Sequence, residues 1–226
     1  MTYRRNCGIT TAHESENTDS LNDNDEMSQT TKVVYFDLET SGLESSSEIL
    51  QIAPIGDNIE YSSYILPTKA IPASTTKING LKFLNGQLYY KNMKVNALNM
   101  DNTLKGFSQY LHKISDPCLL VAHNSRFDVP KLVTIINDLD LLDSFKVIQG
   151  FSDTLTLFKK ELPERSGPGV FKLSTLAKDL IGIEDSDSFH EGAYNVLNTA
   201  ASQTPENTRK SFTRNPRMRR WPGSAK

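Results

Sequence analysis

The chain has 226 residues, of which 37% are hydrophobic, 8% aromatic and 23% charged, proportions of a soluble globular protein with one sizeable core rather than of a fibrous or disordered chain. Its formal net charge of −2 removes bulk basicity as a pointer to nucleic acid, and no apolar stretch approaches the roughly 20 residues needed to cross a membrane. Cys7 and Cys118 sit in unlike surroundings and the N-terminus lacks an apolar core segment, so neither a disulfide framework nor a secretory signal is expected, and the chain reads as intracellular, in nucleus or cytoplasm.

Residues 1–31 are rich in Ser, Thr, Asn, Asp and Glu, without apolar periodicity, and read as a disordered tail. Val33, Val34, Tyr35 and Phe36 predict a buried strand. Ser41-Gly42, with Glu44 and the serines after it, is a turn. Strands are predicted over 49–55 and 61–66, the second stopped by Pro67, so the fold opens on an antiparallel meander. The segment 71–98 reads as mostly loop and short helix, with Asn79-Gly80 as a turn signal. Leu104, Phe107, Leu111 and Ile114 give helical spacing over 103–114. A short strand follows over 118–122, a helix over 130–137 and a strand over 145–148. Helices are predicted over 154–160 and 173–180, the latter with Ser174 as cap, and a last pattern over 191–201. The order of elements fits an α/β sheet packed by helices, with one folded unit over 32–201.

Charge is unevenly spread. Residues 202–226 hold seven Lys or Arg against one Glu, a net of +6, and read as a basic unstructured tail. Residues 1–32 carry three basic and six acidic residues, a net of −3, which leaves about −5 for the middle. An acidic centre suits acids that hold cations shared with phosphates. It does not suit a groove binder, which sets Lys and Arg against phosphate.

Three stretches carry chemistry. Asp37-x-Glu39 follows the first strand, and alternate residues on a strand point to one face. Two neighbouring carboxylates raise one another's pKa unless a cation lies between them, and a hard divalent ion such as Mg²⁺ resolves the conflict. On these residues alone, two solvated acids at a strand end stand equally well. The run His123-Asn124-Ser125-Arg126-Phe127-Asp128 follows the apolar LLVA as strand, tight loop and helix start. Its plain alternative is a helix cap by Ser125 or Asp128. Phe189-His190 and Asn195 close the pattern. Five residues at about 100° each put His190 and Asn195 on different faces of a continuous helix, so both reach one site only if His190 lies before the helix or in its first turn.

Taken together, FDLETSGL, HNSRFDVPKL and FHEGAYN resemble the three motifs of the DEDDh group of 3′–5′ exonucleases, which includes proofreading and three-prime repair enzymes, over roughly residues 32–201. The resemblance implies a ribonuclease-H-like mixed sheet with flanking helices and two Mg²⁺ or Mn²⁺ ions. It implies that Asp37 bridges both ions, that Glu39 binds the one holding the attacking water, and that Asp128 serves the second. His190 would be the general base. Leu38, Thr40 and Leu43 would meet the terminal nucleotide, with Asn124 and Phe127 as further substrate-lining residues. The implied partner is the 3′ end of DNA or RNA. No membrane is implied, and the oligomeric state stays open, since some relatives of the group dimerise.

The sequence departs from that pattern at Asn195, where the group has a fourth carboxylate and this chain offers a neutral amide oxygen. The residues therefore support a metal-dependent exonuclease and, as its rival, a catalytically weakened module that binds nucleic acid or a protein partner. The basic tail adds nonspecific phosphate affinity, a nuclear import signal, or neither.

Overall fold

A computed structural model describes residues 31–182 and 219–222. Strand β1 (Lys32–Thr40) continues past the predicted run, so Asp37 and Glu39 lie within it. Val34, Phe36 and Leu38 pack into one core while Tyr35 packs into another. The alternation sends Asp37 and Glu39 to the Tyr35 face. β2 (Ile49–Gly56) pairs antiparallel with β1, setting Asp37 opposite Ala53 and Glu39 opposite Gln51, with an irregularity between Glu39 and Thr40. β3 (Ile59–Glu60) and β4 (Ser63–Ile65) both pair antiparallel with β2, which completes the expected meander.

The segment 71–98 is more ordered than the sequence reading allowed. It forms α1 (Ala73–Asn79), β5 (Leu81–Leu84), β6 (Gln87–Tyr90), β7 (Met93–Lys94) and β8 (Ala97–Leu98). β5, β6 and β7 make a separate three-stranded sheet. Its two turns place Asn85, Gly86, Lys91 and Asn92 at positive φ, the backbone of a type I′ hairpin. Burial of Leu81 and Leu88 against Leu50 fixes this small sheet on the domain. The available signal was Asn85-Gly86 between the alternating runs LKFL and QLYY.

Helix α2 (Met100–Ile114) starts at Asn99, whose side chain accepts the Asn102 amide at 2.8 Å. β9 (Cys118–Ala122) is buried along its length and runs parallel to β1. α3 (Asp128–Asp138) follows, then β10 (Ile148–Asp153), parallel to β9. The strand predicted at 145 begins at Ile148 because 142–145 winds into a 3₁₀ turn that buries Phe145. α4 (Thr154–Glu161) is capped by Asp153, which accepts the Leu155 amide at 3.0 Å. α5 (Leu173–Ile181) has Lys172, not Ser174, at its N-cap.

The main sheet runs β11-β10-β9-β1-β2-β4-β8, with β3 attached to β2. α2 and α3 contribute Leu104, Phe107, Leu132 and Ile136 to the core on one face, and α4 and α5 contribute Leu157, Phe158 and Leu176 to the core on the other. The mixed sheet with flanking helices is thus present.

β11 (Arg219–Arg220) corrects the expectation of an unstructured stretch over 202–226. It pairs antiparallel with Gly150 and Phe151 of β10. Trp221 beside it is 1% exposed, its ring centroid 6.2 Å from that of Phe145 and 5.9 Å from that of Phe151. A single tryptophan carries no periodicity, yet its burial outweighs the polarity of its neighbours. The predicted N-terminal tail up to residue 30, the last pattern over 191–201, His190 and Asn195 lie outside the described residues. Among the described residues no helix is long and apolar enough to cross a membrane.

Candidate functional site

Pairing between β1 and β9 ends at Tyr35 opposite Val121. Beyond it the two strands separate, and the last part of β1 keeps only β2 as a registered neighbour. The chain leaves β9 through His123 and turns tightly. Asn124 adopts φ 64°, the Phe127 amide donates to the Asn124 carbonyl at 3.0 Å, and the Val129 amide donates to that of Ser125 at 3.0 Å. Asn tolerates this left-handed backbone better than most residues. The turn brings Asp128, the first residue of α3, back towards the last part of β1.

Asp128 is 4% exposed. Burial, with the charges of Asp37 and Glu39 beside it, pushes its carboxyl up to about 8, although the backbone amides of Asp128 and Leu38 pull it back. Glu39 is also raised, by burial, against a hydrogen bond from Asn79. The fold thus gathers the three carboxyl groups the sequence singled out. Among the described residues, no group of three or more His, Cys, Asp or Glu side chains is placed so that it could hold a metal ion. Like charges crowded in a poorly solvated place keep apart and hold a proton. The donor chemistry fits a hard divalent cation, which takes carboxylate oxygens and would replace that proton.

Without metal, Asp128 therefore stays protonated through neutral pH. A carboxyl with a higher pKa folded than unfolded contributes most to stability at low pH, and that contribution fades as pH rises from about 4 towards about 8. Asp128→Asn removes the fading part. In the presence of a chelator, the melting temperature of the variant relative to the parent rises steadily between about pH 5 and about pH 8.5. A difference that stays flat with pH contradicts this placement of Asp128.

The other expected site residues divide by exposure. Leu38 and Thr40 are 5% and 7% exposed. Leu38 is part of the core, and the Thr40 hydroxyl donates to the Gly42 carbonyl at 2.7 Å. Both side chains are therefore committed inward, which leaves their backbones for the nucleotide contact expected from the sequence. Leu43 is 84% exposed, Asn124 is exposed and Phe127 half-buried.

A model of the family described as the Exuperantia RNAse H-like domain matches residues 31–180. The chain belongs to this family. No curated protein matches the sequence. The family carries the ribonuclease-H-like fold that the motifs implied, and the Exuperantia-type domain of this chain spans the meander, the parallel strands and α1 to α5, all but the last residue of α5.

One residue of this domain escaped the sequence reading. Asn79, 6% exposed at the end of α1, donates from Nδ2 to the Thr40 carbonyl at 3.2 Å and accepts the Leu81 amide at 3.1 Å. Its side chain also hydrogen-bonds Glu39. Asn79-Gly80 was legible as a turn, and Gly80 does stop α1 at φ 71°. Nothing in the sequence revealed that the amide before it reaches the end of β1, 39 residues away. His123, by contrast, is structural. Its Nε2 donates to the Phe171 carbonyl at 2.8 Å, which leaves Nδ1 to accept from the Thr154 hydroxyl at 2.9 Å. Burial lowers its pKa, so it is a neutral tie between β9, α4 and the segment before α5.

Proposed function

We propose that this domain is a metal-dependent 3′–5′ exonuclease of the DEDDh type, hydrolysing phosphodiester bonds of DNA or RNA from the 3′ end. The carrying observation is the gathering of Asp37, Glu39 and Asp128, with Asp128 so crowded by burial and by its two neighbours that it is pushed up to about 8. Membership of a ribonuclease-H-like family supports a nuclease-like or nucleic-acid-binding domain, and the three motifs support the narrower reading. Asp37 and Glu39 offer oxygens from one strand, and Asp128 approaches from a helix start. His190 would take the proton from the attacking water as the general base, a role to which imidazole is suited near neutral pH. When bound, two Mg²⁺ or Mn²⁺ ions supply positive charge to the attacking and leaving oxygens of the displacement.

Asn195 favours a second reading. With an amide where the exonuclease pattern has a carboxylate, the site holds one negative charge fewer and water activation weakens. The domain then serves as a binding module for nucleic acid or a protein partner. One assay separates the two: a 3′-labelled single strand with Mg²⁺ or Mn²⁺, treated with the parent and with the Asn195→Asp variant. The exonuclease reading expects mononucleotide release by the parent, and more by the variant. An inert parent beside an active variant supports the binding module. If neither cuts DNA or RNA and neither binds metal, the enzyme reading fails.

A further inference from the structure

The segment between β1 and β2 has no apolar anchor. From Ser41 to Glu48 no residue is buried, and Leu43 stands largely in solvent. Polar contacts alone hold this loop. At its base the Ser41 amide donates to the Glu48 carbonyl at 2.9 Å, and the Thr75 hydroxyl of α1 donates to the Ser41 carbonyl at 3.0 Å. At its far side it is held by a lysine from α3. Lys131 Nζ lies 2.7 Å from the Glu44 carbonyl, 3.2 Å from that of Ser45, 3.1 Å from that of Ser47 and 2.7 Å from the Ser47 hydroxyl. The same ammonium sits 5.4 Å from the centre of the Phe127 ring, one turn earlier on the helix side.

An ammonium has three protons. Lys131 directs them at four acceptors of one loop, 84 to 87 residues away in sequence. A lysine left for phosphate would point into solvent as a point charge. This one is turned inward on carbonyls, and burial lowers its pKa. It also joins two places that the exonuclease resemblance would set against the terminal nucleotide, the loop bearing Leu43 and the ring of Phe127.

We infer that Lys131 is a positioning residue that fixes the 41–48 loop, and with it Leu43, for recognition of a 3′-terminal nucleotide. The inference rests on the exonuclease-type reading of this site. Lys131 touches neither substrate nor metal in this account. Its effect passes through the apolar surface that Leu43 presents for packing against a base.

The test uses the full chain, with Ca²⁺ in place of Mg²⁺, and two fluorescent single-stranded DNA probes of equal length, one linear and one circular. The parent is expected to bind the linear probe more tightly, because only that probe has a 3′ end. Lys131→Met should weaken linear binding roughly tenfold, towards the circular value, with an unchanged slope of affinity against salt. Ser47→Ala, which removes one of the four acceptors at a half-buried position and alters no charge, should move in the same direction by roughly threefold. A salt slope shallower by about 1 in Lys131→Met would mark a phosphate contact instead and overturn the inference. So would an undiminished preference for the linear probe in Lys131→Met. If the parent itself binds both probes alike, or neither, the 3′-end reading fails and the Lys131 inference fails with it. Parent preference retained by both variants defeats the inference alone.

Discussion

Asp37→Ala eliminates 3′-end degradation, lowering the rate roughly 10³-fold or more, in the parent or in the Asn195→Asp variant if only that one cuts. The size follows from where Asp37 stands. It lies in the last part of β1, on the face shared with Glu39, and its charge is one of the two that disturb Asp128. Removing it takes away an oxygen that the exonuclease reading would share between two divalent ions. A metal contributes several kcal/mol of transition-state charge stabilisation, and about 4 kcal/mol corresponds to a thousandfold in rate. The same substitution relieves crowding, so the metal-free variant should melt no lower than the parent. Activity that survives in Asp37→Ala at the parental rate would trace to a contaminating nuclease or to another site.

Trp221→Ala lowers the stability of the domain by about 3–5 kcal/mol, which in a chain of this size corresponds to a melting temperature about 10 °C lower. Trp221 is among the largest fully buried side chains, it is only 1% exposed, and its ring lies between Phe145 and Phe151. Truncation to Ala leaves a cavity that two aromatic rings and a sheet strand cannot readily close. β11 is two residues long and joins the sheet at the β10 edge only, so the loss also loosens its pairing. Trp221→Phe keeps most of the apolar volume and is expected to cost much less. Equal melting temperatures of parent and Trp221→Ala would show that the strand does not hold its place in solution.

The parts of the fold that the sequence made legible are those with strong periodicity or a continuous apolar run. β1, β2, β9 and α2 fall within a few residues of their predicted bounds, because burial on a sheet or along one helix face repeats at a fixed interval. The small sheet of β5, β6 and β7 was missed because its strands are four residues or fewer and half-exposed. Its hairpin turns were the readable feature. β11 lacked even that. A two-residue strand is stabilised by Trp221 entering a core built from distant residues, and no local pattern announces such a contact.

The candidate site was legible in its identities and not in its support. Asp37, Glu39 and Asp128 stood out as acids after apolar runs, and the fold brings them within reach of one another's charge. The amide of Asn79 behind Glu39 and the ammonium of Lys131 under the 41–48 loop depend on packing between segments tens of residues apart. Leu38 shows the reverse case. It fits the motif as a residue near the nucleotide, yet strand alternation carries its side chain into the core, leaving its backbone to any contact there.

Calorimetric titration of the metal-free parent and of Asp37→Ala with Mn²⁺, near pH 7.5 and with melting temperatures recorded alongside, tests the site most directly. The parent should bind Mn²⁺ saturably, release protons as Asp128 ionises, and melt at a temperature that climbs with Mn²⁺ concentration. Asp37→Ala should lose all three. A parent that binds no Mn²⁺, or a variant that binds it as the parent does, contradicts the assignment of Asp37, Glu39 and Asp128 as a divalent metal site.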